Sequence, residues 1–322
     1  KPFVYTLALE SGYTPATLIL DAPIVFDQGE DLKLWKPENY GKKFYGPSTL
    51  RTGVEKSRNL MTVRIAQNIG IEKIADFAKK LNIYESPEQL LSLSLGSSET
   101  TLIKLTNAYC SFVNGGKLIY PRFIDRIQDS EGNTIYNSEN RECEGCDQIS
   151  YLSKNIPKIK NNFKQIISKE TAYQITSILE GTIKRGTAKG LRDLNLDLGG
   201  KTGTTNKNTD TWFVGFSSNY VIGVYVGYDE PSSLGKYETG ARTAMPIFKD
   251  FVKNAVKKDS ARPFKVPQGI KMLVVNSKNG ERASYNDESI IIEAFKEKDL
   301  VNNEIQYGNI EFTSKENIYN FY

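Results

Sequence analysis

The stretch Leu198-Gly-Gly-Lys201-Thr-Gly-Thr-Thr205, then Thr211-Trp-Phe-Val-Gly-Phe216 and, after Ser217-Ser-Asn219, Val221-Ile-Gly-Val-Tyr-Val-Gly-Tyr228, decides the fold class. The last two runs are rich in β-branched and aromatic residues, and turn residues separate all three, so they read as consecutive strands of an antiparallel meander. A polar loop at 206–210 joins the first two. The next apolar run, Ala244-Met-Pro-Ile-Phe248 through Phe251-Val252, reads as a helix with proline in its first turn that lies back across the sheet.

Upstream, apolar residues recur with helical spacing over 60–69, 71–82, 100–114 and 168–185. Ser98 or Thr100 is placed to cap the third of these helices and Gly115-Gly116 to end it. Ser168 with Glu170 opens the fourth, and Gly186 stops it. The class is therefore mixed α/β, an antiparallel sheet flanked by helices. Beyond Lys257 the composition turns polar, with short apolar islands such as Ile290-Ile-Ile292. Residues 1–258 read as one domain and 259–322 as a C-terminal extension, partly extended and partly mobile.

The chain of 322 residues contains no His. Without imidazole there is no Ser-His-Asp or Cys-His catalysis and no HExxH zinc site, so proton transfer near neutral pH needs a tuned Lys, carboxylate, Tyr or Cys. Forty-two Lys plus Arg against 38 Asp plus Glu leave a formal charge of +4. The basic residues are interspersed with acids, which gives no reason to expect a nucleic-acid partner. No apolar run approaches the roughly 18–20 residues of a membrane span, so the chain taken alone reads as soluble. It begins without Met on an apolar helical stripe (Phe3, Val4, Leu7, Ala8, Leu9) and looks cut from something longer. Cys143 and Cys146 form a single CxxC, short of the four ligands of a structural zinc site, so no metal and no cofactor are expected. A small-loop disulfide and two free thiols remain open.

Lys201-Thr202-Gly203-Thr204-Thr205 offers a cation, hydroxyls and a close backbone approach, the parts needed to hold a carboxylate and donate N–H groups to an oxyanion. The plain alternative is a Thr-Gly strand with a surface lysine. Ser57-Arg58-Asn59 is weaker by itself, because Ser57 can simply cap the helix that follows. Tyr45, Trp212 and Tyr225 read as packing residues.

Eight segments, in this order, are similar to class A penicillin-binding proteins: Trp35-Lys-Pro-Glu-Asn-Tyr40, Phe44-Tyr-Gly-Pro-Ser-Thr-Leu-Arg51, Lys56-Ser-Arg-Asn-Leu-Met61, Leu95-Gly-Ser-Ser-Glu99, Lys201-Thr-Gly-Thr-Thr-Asn206, Trp212-Phe-Val-Gly215, Val226-Gly-Tyr-Asp229 and Thr239-Gly-Ala-Arg-Thr243. The resemblance spans about residues 1–255. It implies a penicillin-binding protein/β-lactamase-like transpeptidase fold and a serine acyl-enzyme. Lys1, followed by Pro2-Phe3, resembles the lysine of an SxxK motif, whose serine would lie three residues before Lys1. As a result, this chain alone is not expected to acylate.

In that pattern Lys1 is the base and Lys201 a nearby cation. Ser57 relays the proton to the leaving amine, and Asn59 holds Lys1 and the substrate amide. Thr202, Gly203, Thr204 and Thr205 line the substrate, with the Thr204 N–H forming half of the oxyanion hole. The implied substrates are peptidoglycan stem peptides ending in D-Ala-D-Ala, and β-lactams. The implied setting is the extracytoplasmic, periplasmic face of the bacterial inner membrane, where the intact protein is membrane-anchored and also carries a glycosyltransferase domain. Ser233-Leu-Gly-Lys236 also fits SxxK, but it follows Pro231 in a loop after the KTG strand and is read as a decoy. Class A β-lactamases add an ExxLN element. The nearest string here is Leu191-Arg-Asp-Leu-Asn195, with Leu in place of the Glu, so hydrolysis is disfavoured. The competing possibility is a binding module that recognises stem peptides or β-lactams without turnover.

Overall fold

The computed structural model describes residues 1–27, 34–138, 142–146, 157–160, 163–256, 262–301 and 304–305. In chain order its first elements are α1 (Pro2–Glu10), β1 (Leu18–Asp21), β2 (Gly46–Thr49), α2 (Leu50–Glu55), α3 (Asn59–Ile69), α4 (Ile71–Lys80) and α5 (Leu102–Val113). Two small hairpins, β3 (Arg126–Gln128) with β4 (Thr134–Asn137) and β5 (Cys143–Glu144) with β6 (Lys158–Ile159), precede α6 (Lys169–Lys184). The last part comprises β7 (Gly199–Thr204), β8 (Asp210–Phe216), β9 (Val221–Gly227), α7 (Ala244–Ala255), β10 (Ile270–Asn276) and β11 (Ile290–Lys296).

Local chemistry accounts for most helix starts. The side chains of Thr49, Thr101 and Ser168 each accept a backbone N–H of the first turn of α2, α5 and α6. For α5 the cap is thus Thr101 and not Ser98 or Thr100. The Thr100 hydroxyl instead donates to the Ile83 carbonyl at 2.6 Å, so tertiary structure has claimed it. Gly116, with φ of 90°, makes the turn after α5 in a conformation that suits glycine, and its N–H donates to the Ser111 carbonyl at 2.8 Å.

The three strands β7, β8 and β9 pair antiparallel in sequence order, with Lys201 opposite Val214 and Gly203 opposite Trp212. Alternation along β8 sends its apolar residues to both faces. Val214 and Phe216 join the cluster built by α1 to α6, with Tyr5, Leu9, Leu50, Ile65, Ile175 and Leu179. Phe213 points the other way and meets Phe248 of α7 edge to face at 4.8 Å between ring centroids. The sheet is therefore sandwiched between helices, with β7 at one edge.

Within the polar C-terminal part, β10 and β11 form an antiparallel hairpin. Its inward positions Val275, Glu293 and Phe295 are buried. Glu293 grips Arg51 of α2 through both carboxylate oxygens, and Arg51 also reaches Glu55, which Arg185 caps from the far side at 2.6 Å. The Lys296 amine donates to the Leu9 carbonyl at the end of α1 at 2.7 Å. The apolar island Ile290-Ile-Ile292 is thus the start of β11, with Ile290 and Ile292 exposed, in a hairpin fastened to α1 and α2 by its other face. Cys143 and Cys146 are joined as a disulfide, which decides between the two open alternatives, and Cys110 is a half-buried free thiol. The Lys257–Ser260 junction lies outside the described residues.

Removing one partner of a buried ion pair costs up to about 3–5 kcal/mol, and loss of Glu293 would leave Arg51 with Glu55 as its one carboxylate among the described residues. Glu293→Ala is accordingly expected to lower the unfolding free energy by about that amount, seen as a fall in the urea midpoint. A loss under ~1 kcal/mol, the scale of a surface pair, would show that the hairpin is not fastened through Arg51.

Candidate active site

Three distant pieces of chain bring polar side chains to one point. Lys1 is the N-cap residue of α1, with Pro2 in the first turn. Ser57 sits in the link between α2 and α3 at φ 56°, and Asn59 opens α3. Lys201 lies on β7, 5% exposed, on the face that looks toward the helices. A left-handed conformation is unusual for serine, and such outliers persist only where the surroundings enforce them. Here it places the Ser57 hydroxyl between two amines.

The Lys201 Nζ donates to Ser57 Oγ at 2.8 Å and to the Thr202 carbonyl at 2.9 Å. The Lys1 Nζ donates to Ser57 Oγ at 3.2 Å, to the Ser57 carbonyl at 2.9 Å, and to Asn59 Oδ1. Among the described residues neither amine has a carboxylate within ion-pair distance, so nothing neutralises two cations placed around one hydroxyl. Burial, and then the positive charge of Lys201, push the Lys1 amine well below its ordinary range. Burial lowers Lys201 to about 8. Of the two, Lys1 is thus the amine pressed toward its uncharged form by both burial and a neighbouring cation. A neutral lysine can take a proton from a hydroxyl, which an ammonium cannot.

The other predicted residues are placed by β7. The Thr205 N–H donates to the Asp210 carbonyl of β8 at 3.2 Å. Strand alternation then turns the Thr204 and Thr202 N–H groups to the open edge. The Thr202 hydroxyl pairs with that of Thr187 at 3.1 Å, and Thr204 Oγ1 accepts the Gly240 N–H at 3.0 Å. Gly240 can be only glycine here, because a Cβ would lie 2.5 Å from the Gly203 and Trp212 carbonyl oxygens. Gly203 lies under Trp212, whose Cβ would be 3.0 Å from an added methyl. Thr205 stands apart: its hydroxyl is held within the 205–210 turn by Thr209 and Asp210.

Tyr45, Trp212 and Tyr225 do not pack in the core. Tyr45 and Tyr225 are 49% and 42% exposed, and Trp212 stands edge to face with Tyr225 at 4.8 Å. Trp212 and Tyr225 are register partners on β8 and β9, and Tyr45 lies just before β2 under the Arg58 guanidinium. Ser233 is an exposed loop residue whose hydroxyl accepts the Gly235 N–H, and no helix presents it. Leu191 to Leu194 belong to a 3₁₀ turn (Lys189–Leu194) that ends at Asn195, and its Asp193 is paired with Lys249 of α7 at 2.7 Å. Sequence reading missed Asn39, Glu38 and Asp21, which surround Asn59. Asn39 and Glu38 lie inside the Trp35–Tyr40 segment, so a signal existed without a role attached to it.

Residues 1–253 match the profile of the penicillin binding protein transpeptidase domain. The chain belongs to that family. It is 46% identical over 298 residues to penicillin-binding protein 1A of Rickettsia conorii, covering 92% of this chain and 37% of that protein. With penicillin-binding protein 1A of Pseudomonas aeruginosa the identity is 34%, covering 93% of this chain and 40% of that one. The crystal structure of penicillin-binding protein 1A from Haemophilus influenzae superposes with a TM-score of 0.79 at 31% identity, over 92% of this chain and 47% of that one. The chain thus spans 37–40% of the length of these two curated relatives. Its mixed fold is that of penicillin-binding protein transpeptidase domains. Among the described residues no helix is long and apolar enough to cross a membrane.

The lysine shifts have a stability signature. Between about pH 8 and 10.5 unfolded Lys201 is still protonated while folded Lys201 is not, so the unfolded state binds more protons and stability rises with pH. The rise from this residue is about 3 kcal/mol. Lys201→Met is expected to be the more stable form at pH 7, with the gap to the unsubstituted protein closing across that window in urea titrations. A gap independent of pH would show that Lys201 carries no destabilised charge.

Proposed function

We propose that this chain is the acyl-transfer domain of a peptidoglycan D,D-transpeptidase that also binds β-lactams. One observation carries the proposal: two buried amines, without carboxylate partners among the described residues, converge on a single hydroxyl held in a left-handed backbone conformation. No ordinary structural role calls for that arrangement, and it supplies a base without histidine.

The nucleophile would be a serine three residues before Lys1. Its hydroxyl attacks the carbonyl of the penultimate D-Ala of a donor stem, and the neutral Lys1 amine takes its proton. Thr204 N–H, at the open edge of β7, and the serine's own N–H hold the oxyanion. The proton passes through Ser57 to the departing D-Ala nitrogen as the C–N bond breaks. Lys201, Thr202 and Thr204 receive the terminal carboxylate, Gly203 allows its close approach, and Thr205 closes the end of the strand. Asn59 holds Lys1 and the donor amide. An amine from a neighbouring stem then attacks the acyl-enzyme, returning its proton along the same path, and the cross-link forms. The Leu191–Asn195 turn supplies no free carboxylate to activate water, because Asp193 is engaged by Lys249, which favours transfer over hydrolysis.

In this scheme residues 1–258 are the catalytic domain and 259–322 follow it as an extension. The intact protein would carry a membrane anchor and a glycosyltransferase domain and work at the periplasmic face of the inner membrane.

The test is intact-protein mass spectrometry after incubation with penicillin, on a polypeptide extended upstream through that serine. A single adduct is expected, with Lys1→Ala slowing its formation by about 10²- to 10⁴-fold, the usual contribution of a general base. A full-rate Lys1→Ala variant would remove Lys1 as base. No adduct on the extended form would instead favour a binding module, and an adduct on a polypeptide beginning at Lys1 would place the nucleophile elsewhere.

A further inference from the structure

Asn59 is the first residue of α3, a helix with no side-chain cap from its own N-cap residue. The N-cap position is Arg58, whose guanidinium has no acceptor to offer the first N–H groups of the helix. A side chain from another part of the molecule takes that place. Asn39 Oδ1 accepts the Asn59 N–H at 2.8 Å and lies 3.4 Å from the Leu60 nitrogen. The Asn39 amide is itself fully committed, donating to Asp21 Oδ1 at 2.7 Å and to the Lys43 carbonyl at 2.9 Å. Its orientation is therefore determined, and it is 5% exposed.

The neighbouring residue completes the hold. The Asn59 Nδ2 donates to the Glu38 carbonyl at 2.5 Å, which leaves Oδ1 as the atom that faces Lys1. Were the carboxamide turned over, an NH₂ group would meet the Lys1 amine instead. Arg58 is drawn away from the cluster: its Nε lies 3.7 Å from Asp21 Oδ2, and its guanidinium stacks 3.2 Å from the centre of the Tyr45 ring. Asp21 thus anchors both Asn39 and Arg58, the middle residue of the Ser57–Asn59 link.

We infer that Asn39 is a positioning residue for the acyl transfer: it caps α3 from a distant loop and, with the Glu38 carbonyl, aims Asn59 Oδ1 at Lys1. This rests on the transpeptidase reading of the site. It gives the Trp35–Tyr40 segment a task that Ser57, Asn59 and Lys201 cannot perform for themselves. Asn39 touches neither amine, so its effect on rate passes through Asn59.

The experiment measures penicillin acylation of the upstream-extended protein by intact mass, recording the rate constant and the final adduct stoichiometry separately. Asn39→Ala is expected to slow acylation by about 10- to 100-fold, the scale of a misplaced catalytic group, while stoichiometry stays complete. On an Asn59→Ala background the same substitution is expected to add no further slowing. Should Asn39→Ala fail to fold, Asn39→Ser takes its place with the same expectation, since its hydroxyl is too short to reach the Asn59 N–H. An unchanged rate constant with lowered stoichiometry would mean a purely structural residue, and multiplicative slowing on the Asn59→Ala background would mean a route other than Asn59. Either result overturns the inference while leaving the transpeptidase intact. If Asn59→Ala and Lys1→Ala both acylate at full rate, the reading of the site fails and the role of Asn39 fails with it.

Discussion

Two lysine amines share one serine hydroxyl in a site where the described residues offer them no carboxylate, and the chemistry proposed for the domain depends on that crowding. Each amine would be an ordinary cation in water. Enclosed together, they cannot both keep their protons, because the second positive charge would face the first across a few ångströms of poorly solvated space. Lys1 is the one that gives way, being pressed by burial and by Lys201. The result is a lysine amine driven toward its uncharged, proton-accepting form in a chain that contains no histidine.

Holding such a pair together requires a scaffold that resists their separation. The three segments that meet at the site are far apart in sequence, and each is carried by an element whose other end is buried. α1 runs from Lys1 into the helical core through Tyr5, Ala8 and Leu9. α2 leads to Ser57 and is fastened by Arg51 and Glu55, which link it to α6 and to the hairpin of β10 and β11. β7 presents Lys201 from a sheet covered on both faces. A buried ionic cluster contributes little net stability compared with apolar packing, but it fixes one arrangement among several that packing alone would tolerate. That specificity is what a site with two opposed cations needs.

Most of the architecture was legible before any coordinates. Helical periodicity placed α3 to α6 within a residue or two of their ends, and β-branched runs separated by turn residues placed β8 and β9. These signals are local, and the tertiary structure agrees with them because the same apolar stripes face the core. The C-terminal hairpin was harder to see. Its inward face alternates apolar residues with a buried glutamate, and a Glu in a polar stretch looks solvated until Arg51 is found opposite it. The exposure of Tyr45 and Tyr225 was hidden for the related reason that strand aromatics usually pack, whereas these two stay nearly half exposed.

The sequence by itself determined the element types, the family to which the chain belongs, and the residue types available for proton transfer, since composition, periodicity and short motifs are properties of neighbouring residues. Only the tertiary structure decided which hydroxyl stands between the two lysines, that Thr205 is turned into its own loop, and that Asn39 supplies the cap α3 lacks. The first and last of those facts rest on distances between residues that are 144 and 20 positions apart in the chain, and the Thr205 contacts on the exact path of a short loop. A hydrogen bond is indifferent to sequence separation and sensitive to tenths of an ångström, so no local pattern encodes it.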